Sequence, residues 1–92
     1  MADKSVEVEV DGYVQGVGFR YSCQDQARRL GVNGWVRNND DEGTVSAHFE
    51  GDADAVDALV DWCRQGPRGS RVTSVSVHPA SPKGHTRFSI TG

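Results

Sequence analysis

The sequence predicts an α+β sandwich in which an antiparallel sheet carries two helices on one face. Three observations lead there. Val6, Val8 and Val10 alternate with Glu7, Glu9 and Asp11, the period-two pattern of a strand with one dry and one wet face. Two stretches with apolar residues at helical spacing follow, one ending at Gly31 and the other at Gly66-Pro67. Short alternating segments bounded by turn residues complete the chain, so the order reads β-α-β-β-α-β with a short fifth strand.

Each element has its own local signal. The first strand's alternation breaks between Gly12 and Gly18, where three glycines fall. Cys23, Ala27 and Leu30 then recur at helical spacing up to Gly31, a natural C-terminal cap. Gly34–Asn38 and Thr44–Glu50 read as the strands of a hairpin around the acidic turn Asn39-Asp40-Asp41-Glu42-Gly43. Asp52 stands where it can cap a second helix, whose Val56, Leu59, Val60 and Cys63 form a stripe opposite Asp54, Asp57 and Asp61. Val75 with Val77, and Phe88 with Ile90, give two last strands around the Pro79 to Gly84 loop.

This order is the ferredoxin-like split βαβ arrangement. With right-handed crossovers and the third strand inserted between the first two, strands one and two run parallel. The glycine loop and Asn38 then meet at one edge of the sheet, two strand spacings or roughly 10 Å apart.

Length and charge narrow the function. Residues 1–92 are expected to form a single domain, and 36% hydrophobic content supplies one modest core. No apolar run approaches the ~20 residues of a membrane span, and Met1 to Ser5 lacks the basic-then-apolar order of a leader; a soluble, cytoplasmic protein is expected. Ten basic residues against thirteen acidic ones give a net charge of −3, the wrong sign for a nucleic-acid binder. Glu7, Glu9 and Asp11 on the wet sheet face would also repel a phosphate backbone. His48, His78 and His85 each stand without a second ligand at metal-binding spacing, so no metal is expected. Cys23 follows Arg20 by three residues, the reverse of the order a cysteine phosphatase needs, and Cys23 and Cys63 read as buried helix residues. Trp35 and Arg37 have the parity of the face without helices.

Gly12-Tyr13-Val14-Gln15-Gly16-Val17-Gly18-Phe19-Arg20 is the most informative stretch. It lies between a strand and a helix, where glycines let successive N–H groups converge on an anion and the helix N-terminus favours negative charge. Arg20 adds a planar fork suited to two phosphate oxygens. No Gly-Lys-Ser/Thr follows, and one Gly-x-Gly is not a dinucleotide fingerprint. Composition and spacing leave anion binding and a purely structural turn both open.

The stretch Gly12 to Arg20, followed by Gly34-Trp35-Val36-Arg37-Asn38, resembles the acylphosphatase family. The resemblance continues through Gly43-Thr44-Val45, Gly51, Trp62-Cys63 and Gly66-Pro67, nearly the whole chain. It implies hydrolysis of small acyl phosphates to a carboxylate and inorganic phosphate, without metal or other cofactor. Arg20 matches the family's substrate-binding arginine and Asn38 the asparagine that orients the attacking water. The amides of Gln15, Gly16, Val17, Gly18 and Phe19 match its phosphate cradle. The family usually places three residues between this asparagine and the next glycine, whereas here Asn39 to Glu42 makes four; the longer acidic turn is expected to weaken binding of an anionic substrate without displacing Asn38. Expected partners are the acyl phosphate and inorganic phosphate as product and competitor, with no nucleic acid, no membrane and a monomeric state. The competing function on the same fold is a non-catalytic phosphate-binding regulatory module, since related domains occur inside larger carbamoyl-transfer proteins.

Overall fold

The computed structural model describes residues 3–91. Its elements are β1 (Asp3–Tyr13), α1 (Phe19–Leu30), β2 (Asn33–Asn39), β3 (Thr44–Asp52), α2 (Ala53–Gln65), β4 (Arg71–Pro79) and β5 (Phe88–Ile90). The strands form one sheet in the order β4-β1-β3-β2-β5. β3 runs antiparallel to both β1 and β2, so those two are parallel to each other and end at the same sheet edge. β4 is antiparallel to β1, while the short β5 lies parallel to β2 and makes the sheet mixed at that margin.

Alternation decides which face is dry. Val6, Val8 and Val10 of β1 and Val45, Ala47 and Phe49 of β3 are buried against Phe19, Cys23 and Ala27 of α1 and Val56, Leu59 and Cys63 of α2. Burying one such valine or leucine contributes roughly 1.5–3 kcal/mol. A one-residue slip of β1 would turn its three valines to solvent and its acids inward, which fixes the register. Gly31 closes α1 in the left-handed region, φ 74°, and Gly66 ends α2, its N–H donating to the Trp62 carbonyl.

Two boundaries differ from the pattern in the sequence. β1 continues through Gly12 and Tyr13, because a bulge between Asp11 and Gly12 re-registers the strand onto Val72 and Arg71 of β4. Gly12 has φ 126°, and a Cβ there would lie 2.0 Å from the Arg71 carbonyl oxygen, so only glycine fits. Asp52 is the N-cap residue of α2, as expected, but it is also the last residue of β3, paired with Asp3, and its side chain makes no capping bond. Among the described residues no helix is long and apolar enough to cross a membrane.

Candidate active site

The loop joining β1 to α1 is shaped by glycine and held by apolar residues. Gly16 and Gly18 both have φ 76°, and a Cβ at either would meet nothing within 4 Å; what glycine supplies is the backbone angle, not room. Val14 and Phe19 are buried on either side of the turn, Phe19 lies 5.2 Å from the Trp62 ring, and Val17 packs against the core. Gly18 is the N-cap residue of α1, with no side-chain cap and no acidic residue in the first turn. The N–H groups that open a helix have no partners within it, so this end is electrostatically suited to an anion. Arg20, the second residue of α1, is half-buried at its rim.

Asn38 stands next to last in β2, opposite Val45 of β3. The residue is half-buried, and its Oδ1 is fully buried without a hydrogen-bond partner, the one such side-chain atom among the described residues. Leaving a buried acceptor unmatched costs about 1–3 kcal/mol, a sizeable share of the 5–15 kcal/mol typical of a whole domain. The strand order brings this atom to the same edge as the glycine loop. The neighbouring turn, Asp40 to Gly43, is exposed, and the Glu42 and Gly43 amides donate to the Asn39 carbonyl at 3.1 and 2.8 Å. Asn38 stays in the β2–β3 ladder before it.

Gln15 does more than the sequence predicts. Its side-chain Nε2 donates to the Asn39 carbonyl at 3.1 Å and to the Thr44 carbonyl at 2.9 Å, tying the glycine loop to the mouth of the hairpin. Both acceptors are backbone oxygens, so side-chain identities at those positions carried no signal of the contact.

The acylphosphatase family model matches residues 6–90. The chain belongs to the acylphosphatase family. It is 51% identical over 86 residues to the acylphosphatase of a Nocardioides species, covering 94% of this chain and 86% of that one. It is also 51% identical over 85 residues to the Thermococcus kodakarensis acylphosphatase, covering 92% of each. The crystal structure of the Bacillus subtilis acylphosphatase superposes with a TM-score of 0.91 at 43% identity, over 96% of this chain and 98% of that one.

Other candidate residues of the sequence lie away from this sheet edge. His48, solitary in the sequence, is fully buried, with Nδ1 on Glu7 and Nε2 3.0 Å from Glu50 Oε2. The His85 ring lies 5.4 Å away. Both imidazole nitrogens are therefore engaged by carboxylates. Burial would raise the Glu50 pKa, but the His48 hydrogen bond, the Lys83 and His85 amides and the His48 charge together bring it from 4.5 down to about 2. Cys23 and Cys63 are buried free thiols; the Cys63 contact, then burial, raises the Cys23 pKa well above its ordinary value, which suppresses the thiolate a nucleophile needs. On the helix-free face, the Arg37 guanidinium sits 5.2 Å over the Trp35 ring, and that ring stacks at 6.4 Å on His48.

Proposed function

We propose that the protein is an acylphosphatase that hydrolyses the carboxyl–phosphate bond of small acyl phosphates to a carboxylate and inorganic phosphate. The observation that carries the mechanism is the buried, unpartnered Asn38 Oδ1 at the sheet edge shared with the glycine loop. In this proposal the amides of Gln15, Gly16, Val17, Gly18 and Phe19 and the Arg20 guanidinium hold the phosphoryl oxygens. Asn38 Oδ1 accepts a hydrogen bond from water and aims it at phosphorus. The bond from water oxygen to phosphorus forms as the bond from phosphorus to the carboxylate oxygen breaks. A carboxylate leaves without general-acid help, so catalysis reduces to positioning and charge stabilisation. The water's proton passes to a phosphoryl oxygen, because an amide orients but does not deprotonate. The rate therefore stays flat with pH through neutrality. Cytoplasmic action belongs to the same proposal, and two free buried thiols suit a reducing compartment.

The test is hydrolysis of benzoyl phosphate by the pure protein in chelator, beside the Asn38→Ala variant. Turnover that persists in chelator and falls by several hundredfold in the variant supports the proposal. No turnover by either protein, with inorganic phosphate still protecting the fold by the ~2.7 kcal/mol expected at a hundredfold excess over Kd, would identify a phosphate-binding module instead.

A further inference from the structure

The glycine loop follows β1 and Asn38 lies on β2, but β3 stands between those strands, so no backbone ladder joins the two directly. The indirect route also stops short. The last β1–β3 pair is Val10 with Val45, and past the bulge the chain keeps pairing with β4 instead. Beyond that point side-chain amides take over the connection. Gln15 Nε2 bonds the carbonyls of Asn39 and Thr44, which are the closing pair of the hairpin. Asn39 Nδ2 donates to Thr44 Oγ1 at 3.0 Å and to Ser46 Oγ at 2.6 Å. Thr44 Oγ1 then donates to Glu9 Oε2 at 3.2 Å, returning the circuit to β1.

We infer that Gln15 and Asn39 are positioning residues whose side-chain amides set Asn38 relative to the phosphate loop. The inference rests on the hydrolysis proposed above. Each amide spends its NH₂ group on two fixed partners, leaving it no donor for substrate. Asn39, immediately after Asn38, is held through both its carbonyl and its side chain, so the lengthened Asp40 to Gly43 turn is closed off before it can move Asn38. The neighbours of Asn38 are thus immobilised while its own Oδ1 keeps an unused acceptor.

The test compares wild type, Gln15→Ala, Asn39→Ala and Asn38→Ala for benzoyl phosphate turnover, inhibition by inorganic phosphate and thermal melting. A displacement of about 1 Å can cost on the order of a hundredfold in rate. Gln15→Ala is expected to lose roughly ten- to a hundredfold in kcat, while its phosphate inhibition constant stays near wild type because alanine keeps the backbone amide proposed for the cradle. Asn39→Ala keeps the backbone carbonyl and loses less. Adding Gln15→Ala to Asn38→Ala brings no further loss, because the effect passes through Asn38. Unchanged kcat in folded Gln15→Ala and Asn39→Ala overturns the inference, as does an equal weakening of kcat and phosphate inhibition. Should Gln15→Ala not fold, Asn39→Ala carries the same test. An inactive wild type would bring down the proposed hydrolysis itself, a result separate from an active wild type with indifferent variants.

Discussion

The two ends of the sheet treat polar groups in opposite ways. At the end where β1 and β2 finish, the chain runs through glycines with positive φ, leaves the start of α1 uncapped and buries Asn38 Oδ1 without a partner. At the other end the β4–β5 connection runs over the helix-free face and is fastened at Lys83 and His85. Glu50 accepts the Lys83 amide at 2.7 Å and the His85 amide at 2.5 Å and also contacts His48, while Asn33 Nδ2 donates to the His85 carbonyl at 3.0 Å. A satisfied buried network rigidifies a fold. An unsatisfied group in a native structure calls for an explanation beyond stability. One end of the sheet is tied by its own side chains, and the other leaves Asn38 Oδ1 unmatched.

Substitutions at the two ends should therefore separate activity from stability. The largest effect is expected at the open end: Asn38→Ala removes a group whose transition-state contribution is ~3–4 kcal/mol for oriented contacts of this kind, a loss of several hundredfold or more in benzoyl phosphate turnover. Its melting temperature should hold or rise, since the unmatched oxygen is gone. Arg20→Ala should damage both turnover and phosphate binding. At the closed end Glu50→Ala leaves two amides and the buried His48 without their carboxylate, a cost of about 3 kcal/mol. At ~4–8 °C per kcal/mol for a domain of this size, the melt should drop by roughly 12–24 °C with kcat at 25 °C unchanged. A Glu50→Ala protein that melts normally, or an Asn38→Ala protein that loses stability instead of activity, would erase the contrast.

Acid provides a second way to separate the ends. Glu50 has its pKa lowered from 4.5 to about 2 in the fold. A carboxyl whose folded pKa lies below its unfolded value stabilises the protein above the unfolded pKa and loses that stabilisation as pH falls through the folded one. The contribution, about 3 kcal/mol, is thus complete above about pH 4.5 and lost between there and pH 2. Urea midpoints measured across that window should fall for wild type and flatten for Glu50→Gln. Parallel slopes in the two proteins would show that Glu50 is not the group responsible.

The same contrast explains what was legible in the sequence. The fold could be read because valine alternation in β1 and the stripe at Val56, Leu59, Val60 and Cys63 are local periodic signals. At the open end the glycine loop and Arg20 could be read because they lie together in residues 12–20 and are chemically distinctive, whereas Asn38, far along the chain, could be read only through the strand topology and the family resemblance. The closed end could not. Glu50 binds backbone amides more than thirty residues away, and His48 meets Glu7 across a strand pair. Neither contact has a spacing rule. The Asp11–Gly12 bulge and the Gln15 bridge escaped for a related reason: both depend on where a neighbouring backbone runs, which side-chain identities do not encode.

The smallest effect expected separates charge from geometry at the open end. Asp40, Asp41 and Glu42 are exposed on the turn beside the site, and exposed charges act through screened water over roughly 10 Å at 0.1 M salt. Their repulsion of a dianionic substrate should be a few tenths of a kcal/mol each, comparable to surface ion pairs. Asp41→Asn is therefore expected to lower KM by less than about twofold at low ionic strength, with kcat unchanged and the benefit vanishing as salt is added. A change in kcat, or a KM shift indifferent to salt, would mean that the turn acts on the placement of Asn38 and that the Gln15 and Asn39 contacts do not insulate it.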